Sequence, residues 1–434
     1  MGLPRKARAH HRIEASPLAI RIKWGSSESL SYFAVGGAGS ESAAVCSGEG
    51  GVSGDHTSQR SLRTSHPQRS YVGRLAHVDA LRAFAVMLVV IAHAGFGHIV
   101  PGGSGVTIFF VISGFVITLA LLRERERTQS FDLAGFYVRR ALKLAPPFFI
   151  VIVVPTLIYS ISNEISWADF LSQVLFVFNW MYSAGNSQVL PGSEVVWSLS
   201  IEEQFYIVFA LIWVVTYRLK AYLPVLLGLS LVGAIVPLVI RIGITMGGVD
   251  HLRTYYGTDT RADGIALGIL AAVIYWKSVS GTLNPRIVKW LATNWTVAGA
   301  IVFYLLSLAL RDDVFRETVR YSMQGLSAAL VILYGLLRSQ GTVRQVIQRI
   351  AETRLVQLLG LASYSIYLVH LQASVILSAM VGDALDPVFL SAIQIASGTV
   401  IGVLIWAVVE RPVERWKRRR RGHRVQSQTK HAAS

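Results

Sequence analysis

The sequence predicts an all-α integral membrane protein with about ten transmembrane helices and both termini in the cytoplasm. Three observations carry this expectation. Of 434 residues, 53% are hydrophobic and only 15% are charged. Apolar windows of about 20 residues, the length that crosses a bilayer core, recur from about residue 78 onward. Lys and Arg gather in alternate loops, the pattern that cytoplasmic loops follow.

Taken in order, the windows run at 79–100, 104–122, 144–162, 196–217, 221–244, 261–276, 295–310, 320–337, 355–380 and 388–409. Two of them, 261–276 and 295–310, are short for a span. With the N-terminus inside, the loops after even-numbered spans should be basic, and they are. Arg123, Arg125, Arg127, Arg139, Arg140 and Lys143 follow the second span, and Arg218 and Lys220 follow the fourth. Lys277, Arg286 and Lys289 follow the sixth; Arg338, Arg344, Arg349 and Arg354 follow the eighth. The opposite loops are acidic or mixed, as in SNEISWAD (162–169), RDDVFRETVR (311–320) and VGDALDP (381–387).

Between spans three and four, FLSQVLFVFNWMY (170–182) is too short to cross and reads as an interfacial or re-entrant helix, with Trp180 and Tyr182 at headgroup level. FDLAGFYVRRALKLAPPFF (131–149) mixes aromatic and basic residues as a membrane-surface helix does, and Pro146 and Pro147 are expected to mark its change into the third span.

Residues 1–70 are a different material, rich in Ser, Gly, His and Arg, and read as a disordered polar extension. They contain no apolar run long enough for a signal-peptide core. No methionine lies between Met1 and Met87, so a later start would need another codon. The transmembrane domain is expected over 71–412 and a basic cytoplasmic tail over 413–434. The net charge of +16 would suggest nucleic-acid binding in a soluble protein. Here the run RWKRRRRGHR (415–424) is better explained by anionic lipid headgroups, so the bilayer and not nucleic acid is the expected partner. The single cysteine, Cys46, excludes an intrachain disulfide and a Cys-pair metal site, and no metal is expected.

Ionisable residues within spans are costly and usually functional. Arg82 and His93 lie eleven residues apart in the first span, about three helical turns, so both are expected to face one cavity about 16 Å apart along the axis. WSLSIEEQFY (197–206) sets Glu202 and Glu203 in the fourth span; adjacent positions point about 100° apart, so one carboxylate should face the cavity. Arg261 and Asp263 in TRADG are two apart, as mutual partners or as parts of an acceptor site; Arg261 is also a candidate ion-pair partner of Glu202. Tyr364, Tyr367 and His370 share a helix face through their spacing of three. Ser113 with Gly114 reads as a device for close helix approach.

Seven motifs in order then bring a family into view: DALRAFAVMLVVIAHAG (79–95), FFVISGFVIT (109–118), FYVRRALKLAP (136–146), WSLSIEEQFY, TRADGIALGIL (260–270), LGLASYSIYLVH (359–370) and ERP (410–412). Over residues 77–412 the chain resembles the membrane-bound acyltransferase 3 family, which O-acylates extracytoplasmic sugars and other hydroxylated molecules with cytoplasmic acyl-CoA. The resemblance implies that His93 is the catalytic histidine, that Arg82 serves the donor side, and that Glu202 is the cavity-facing carboxylate, a second catalytic group that orients or pairs with His93 or contacts the acceptor. Histidine chemistry fits, because an imidazole can take the proton of a hydroxyl as it attacks a thioester. Either this route or a transient acyl-histidine satisfies it.

The donor is a polyanion, so Arg139, Arg140 and Lys143 are candidate phosphate contacts, against the alternative of positive-inside anchoring. Tyr364 and His370 are candidates for the acyl-CoA channel, against the alternative of helix packing. No bound cofactor is expected; acyl-CoA, foremost acetyl-CoA, is a co-substrate. Two departures stand out: Thr107 occupies a position where the family often has Asp, and DALR replaces DGLR. The chain ends after its basic tail, which resembles the stand-alone subgroup without a C-terminal hydrolase-like domain. The expectation is thus an O-acyltransferase of the cell's cytoplasmic membrane acting on an extracytoplasmic or exported glycan. The competing reading is a transporter or flippase whose pathway is lined by His93, Glu202 and Arg261.

Overall fold

The computed structural model describes residues 75–185, 187–248, 251–337, 341–381 and 384–417. The expectations for segment 1–70, Cys46, Arg338 and the tail beyond Lys417 lie outside the described residues. Among those described, every regular element is helical. In chain order they are α1 (Ala76–Ile91), α2 (Gly102–Thr128), α3 (Leu133–Phe148), α4 (Val154–Tyr159), α5 (Trp167–Val174), α6 (Phe178–Ser183), α7 (Val196–Thr216), α8 (Tyr222–Met246) and α9 (His251–Tyr256). There follow α10 (Thr258–Val279), α11 (Pro285–Leu291), α12 (Asn294–Ala309), α13 (Asp313–Glu317), α14 (Val319–Leu336), α15 (Thr342–Ala351), α16 (Arg354–Val381) and α17 (Pro387–Ile405).

Eight of the helical segments are long and apolar enough to span a membrane, and the pair α11–α12, bent by 59° at its break, would make nine. The chain is an all-α integral membrane protein. The expected span at 320–337 forms α14, a helix of 18 residues, but Arg320 and Gln324 in its first half keep it outside that group of eight. Leu, Ile and Val side chains on α8, α12 and α17 remain exposed, for instance Ile235, Leu305 and Val400. In water such a surface would be a liability; against lipid it is the required one.

The expected change of helix at the prolines does not occur. Pro146 and Pro147 lie inside α3, which continues through a π-turn at Phe149–Val153 into α4 as one segment, Leu133–Tyr159. A proline cannot donate to the carbonyl four residues back. The π-turn that follows is a wider loop of the helix, a form that absorbs such a local misfit without ending the rod. By contrast, 170–182 does break, into α5 and α6, with Phe176 between them at φ 55°.

Helix α10 packs against α2 and α8, α16 against α17 and α1, and α1 against α2. The α2–α10 contact is backbone to backbone. A methyl group on Gly114 would come within 2.0 Å of the Ile265 carbonyl oxygen, and one on Gly268 within 2.1 Å of that of Val111. Only glycine permits this approach, which is how membrane helices gain contact where lipid gives no hydrophobic drive. It supports the packing role expected of Gly114, whereas Ser113 lines the cavity described below. One apolar core, with Phe115, Trp213 and Trp276, gathers around α2, α7 and α10; a second, with Val86, Phe110, Trp197 and Ile366, gathers around α1, α2, α7 and α16.

Candidate active site

Where α1, α2, α3, α7 and α16 converge they enclose a cavity of about 150 Å³. Its apolar wall comes largely from α2, with Phe109, Phe110 and Ile112. Its polar wall holds Arg82 of α1, Arg140 and Lys143 of α3, Glu202 of α7, and Ser363, Tyr364 and Tyr367 of α16. Three cations thus face one carboxylate across a space walled by rings and branched chains. Lys143 is itself exposed, so the cavity opens beside it.

Each polar group is held by a neighbour that sequence spacing alone did not connect. Arg82 Nε donates to Ser363 Oγ at 3.2 Å. Arg140 donates to Glu203 Oε1 from Nε at 3.1 Å and from Nη2 at 2.5 Å, and its guanidinium sits 3.2 Å from the ring centroid of Tyr206. The two adjacent carboxylates therefore divide as the helix geometry requires: Glu203 anchors Arg140 while Glu202 lines the cavity. Tyr364 donates to the Leu144 carbonyl at 3.1 Å, and the Tyr367 and Ser198 hydroxyls meet at 2.6 Å. Arg139 stays out of the cavity and pairs with Glu124 at 3.0 Å.

His93 is the second residue of a π-turn, Ala92–Phe96, in which Ala94 and Gly95 leave helical geometry after it and Gly95 reaches φ 99°. It is exposed and is not part of the cavity wall, so Arg82 and His93 do not share one wall as their spacing suggested. His93 Nδ1 instead lies 3.0 Å from the Val89 carbonyl oxygen and 3.2 Å from His370 Nε2. His370 is buried, and its Nδ1 lies 2.7 Å from the carbonyl oxygen of Tyr367, a cavity residue. One face of α16 therefore runs from Tyr364 and Tyr367 in the cavity to His370 beside His93.

Arg261 and Asp263 are not mutual partners. Asp263 pairs with the buried Arg241 at 2.7 Å and accepts from Ser322 at 2.6 Å. Arg261 donates to Thr107 Oγ1 at 2.9 Å, its guanidinium 4.0 Å from the Tyr321 ring centroid, and neither residue lines the cavity. Its expected alternative partner, Glu202, belongs to the cavity. Sequence reasoning missed Ser363, Tyr206, Ser198, Glu203 as an anchor, and Arg241. Arg241 is a charged residue in the middle of an apolar run, a signal that was there to be read. Glu410 of the ERP motif, buried and accepting from Ser365 at 2.5 Å, had the same signal. Among the described residues no group of three or more His, Cys, Asp or Glu is placed to hold a metal ion.

The chain is a multi-pass helical bundle with a cation-lined internal cavity and an imidazole pair beside it. The particular kind follows from comparison. The acyltransferase-domain family, Acyltransferase 3, matches residues 75–411, and the chain belongs to that family. It is 28% identical over 370 residues to the peptidoglycan O-acetyltransferase OatA of Listeria monocytogenes, covering 81% of this chain and 57% of that protein. It is 29% identical over 357 residues to the O-acetyltransferase OatA of Staphylococcus aureus, covering 79% of this chain and 57% of that protein. The chain thus spans little more than half the length of these curated relatives. No solved structure matches. By this membership the chain is a multi-pass membrane protein of an acyltransferase family.

Proposed function

We propose that the protein moves an acyl group, foremost acetyl, from acyl-CoA on the cytoplasmic side to a hydroxyl of an extracytoplasmic or exported glycan, in the cytoplasmic membrane of the cell. The observation that carries the donor is the cavity: Arg82, Arg140 and Lys143 converge there, and only Arg140 has a carboxylate within ion-pair distance among the described residues. A cluster of cations left open in this way suits phosphate, with arginine supplying paired N–H donors and lysine a point charge. The basic loops support a cavity that faces the cytoplasm, where coenzyme A thioesters are held. The similarity to peptidoglycan and other O-acetyltransferases favours acetyl and a cell-envelope glycan.

In this reading the acceptor hydroxyl oxygen attacks the thioester carbonyl carbon and its proton passes to His93. The tetrahedral intermediate then expels the CoA sulfur, which recovers that proton. Glu202 offers an acceptor to the amide N–H groups of the donor's pantetheine arm. Tyr364 closes the wall of the donor channel. Arg139, Arg261 and Asp263 take no part, because each is engaged away from the cavity.

The test is release of free CoA thiol from acetyl-CoA by the purified, detergent-solubilised protein, with a cell-envelope glycan extract as acceptor. His93→Ala is expected to lower turnover by about 10²-fold or more while its elution and melting stay those of the wild type. Equal turnover of the two proteins overturns His93 as the base, and silence of both across several acyl-CoA thioesters overturns the donor.

A further inference from the structure

The proposed reaction needs a histidine that presents a bare nitrogen to the hydroxyl. A neutral imidazole carries one N–H and one bare nitrogen, and the partners of each nitrogen decide which is which. At His370 the answer is forced. Its Nδ1 faces the Tyr367 carbonyl oxygen at 2.7 Å, and a carbonyl only accepts, so Nδ1 carries the hydrogen and Nε2 is bare. That bare Nε2 points at His93 Nδ1, 3.2 Å away. The other neighbour of His93 Nδ1 is the Val89 carbonyl oxygen at 3.0 Å, again a pure acceptor. Both partners of His93 Nδ1 therefore call for an N–H at that atom.

We infer that His370 is a positioning residue that fixes His93 in the tautomer with its hydrogen on Nδ1, so that Nε2 is left bare to take the acceptor's proton. The inference rests on the reading of His93 as the base. A carbonyl one turn back on the same helix is too weak a guide by itself, because the imidazole is exposed and stands at a π-turn where the helix ends. His370 supplies the second contact from a different helix. It is 1% exposed, and α17 packs closely on its backbone: a methyl group on Gly398 would come within 3.0 Å of His370 Cα. With its own hydrogen bond to Tyr367, the ring has no freedom to present an N–H to His93 instead. When His93 becomes an imidazolium, the same contact accepts from its Nδ1–H and stabilises the charge, as an orienting partner does for other catalytic histidines.

The arrangement also links the cavity to the base. Tyr367 lines the donor cavity, its hydroxyl bonded to Ser198, and its carbonyl orients His370. The donor wall and the base's orientation are thus fixed by one stretch of α16, Tyr364 to His370.

The test uses the full chain in detergent with histidine labelled with nitrogen-15, at alkaline pH where imidazoles are neutral. The nitrogen signals of His93 are found among the 11 histidines as those lost in His93→Gln. In the wild type they are expected to report a protonated Nδ1 and a bare Nε2. In His370→Phe, which fills the space without an acceptor, they are expected to report a mixture of tautomers. Turnover should then fall by about 10- to 100-fold with KM for acetyl-CoA unchanged within about twofold. His370→Gln, whose amide oxygen can accept from Nδ1–H, is expected to recover most of the lost turnover. A bare Nδ1 in the wild type overturns the inference. So does His370→Phe leaving tautomer and kcat unchanged, or His370→Gln falling as far as His370→Phe with an intact melting profile. The base reading fails separately: if His93→Ala keeps full turnover while His370→Phe still alters the His93 signals, His93 loses its role and the orienting contact stands.

Discussion

Two clusters of cations in one bundle, one buried around Arg241 and one half-buried on the cavity wall, are treated in opposite ways. Arg241 on α8 is 0% exposed and fully used. Its Nε donates to the Thr318 carbonyl at 2.9 Å, Nη1 to the Thr260 carbonyl, and Nη2 to Asp263 and Ser322, each at 2.7 Å. Arg82, in the cavity, makes one side-chain hydrogen bond among the described residues, and Lys143 beside it has no carboxylate within ion-pair distance. The fold is therefore able to neutralise a buried guanidinium completely where its work is to hold α8, α10 and α14 together. Charge left open costs stability, so donors kept free on a cavity wall mark a place where a ligand completes the shell. The difference separates a structural cation from a binding one without reference to motif.

The comparison breaks or sharpens at four positions. The largest effect is expected at Asp263→Leu, which strands the Arg241 charge and should cost about 3–5 kcal/mol. It would be read as a lowered melting temperature in detergent and loss of the monodisperse peak. Arg82→Met should instead melt within about 1 kcal/mol of the wild type, because one hydrogen bond to a serine is lost. Its kcat/KM for acetyl-CoA should fall by about 10- to 100-fold, the scale of one or two charge-assisted bonds. If Arg82→Met melts as low as Asp263→Leu, the two clusters are alike and the cavity argument fails. Next in size, Lys143→Met should raise KM for the thioester about tenfold with kcat nearly constant, as loss of one phosphate contact of about 1.4 kcal/mol would. Arg139→Met, whose partner Glu124 lies outside the cavity, should stay within about twofold in steady-state assays.

How far these assignments were legible in the sequence differs with distance along the chain. Elements that depend on local pattern were readable: the apolar windows match the helices because span length and apolarity are properties of contiguous residues. That only one of Glu202 and Glu203 faces the cavity, and that Tyr364 and Tyr367 share a face, followed from 100° per residue on a single helix, while the choice of Glu202 came from the family resemblance. What failed was whatever a second helix or a local change of winding decides. The eleven-residue spacing of Arg82 and His93 fixed a direction on α1 but not the extent of the cavity, which the other helices set and whose wall does not reach His93. Asp263 went to Arg241, which is 22 residues away in sequence but adjacent in the packed bundle. The prolines of α3 looked like a terminus because their effect on a helix is local, whereas the π-turn that rescues it lies one turn further on.

The smallest predicted effect tests the intermediate case, Arg261. This guanidinium is 1% exposed, with Nη2 on Thr107 and Nη1 lacking a hydrogen-bond partner among the described residues, yet it does not line the donor cavity. It is neither saturated like Arg241 nor open to a ligand like Arg82. The rings of Tyr321 and Tyr255, centred 4.0 and 4.9 Å from it, take up part of the charge. Thr107→Asp places a carboxylate where a neutral hydroxyl now accepts, with little change in volume, and should convert the cluster to the saturated kind. The expected gain is about 1 kcal/mol, since the new Coulomb attraction is largely offset by desolvating the carboxylate. It would be read as a small rise in melting temperature with thiol release unchanged. Thr107→Val removes the acceptor and should lower stability by about 1 kcal/mol. If Thr107→Asp melts below the wild type, the tyrosine rings already satisfy Arg261, and an aromatic box then joins the carboxylate pair as a second way this bundle settles a buried cation.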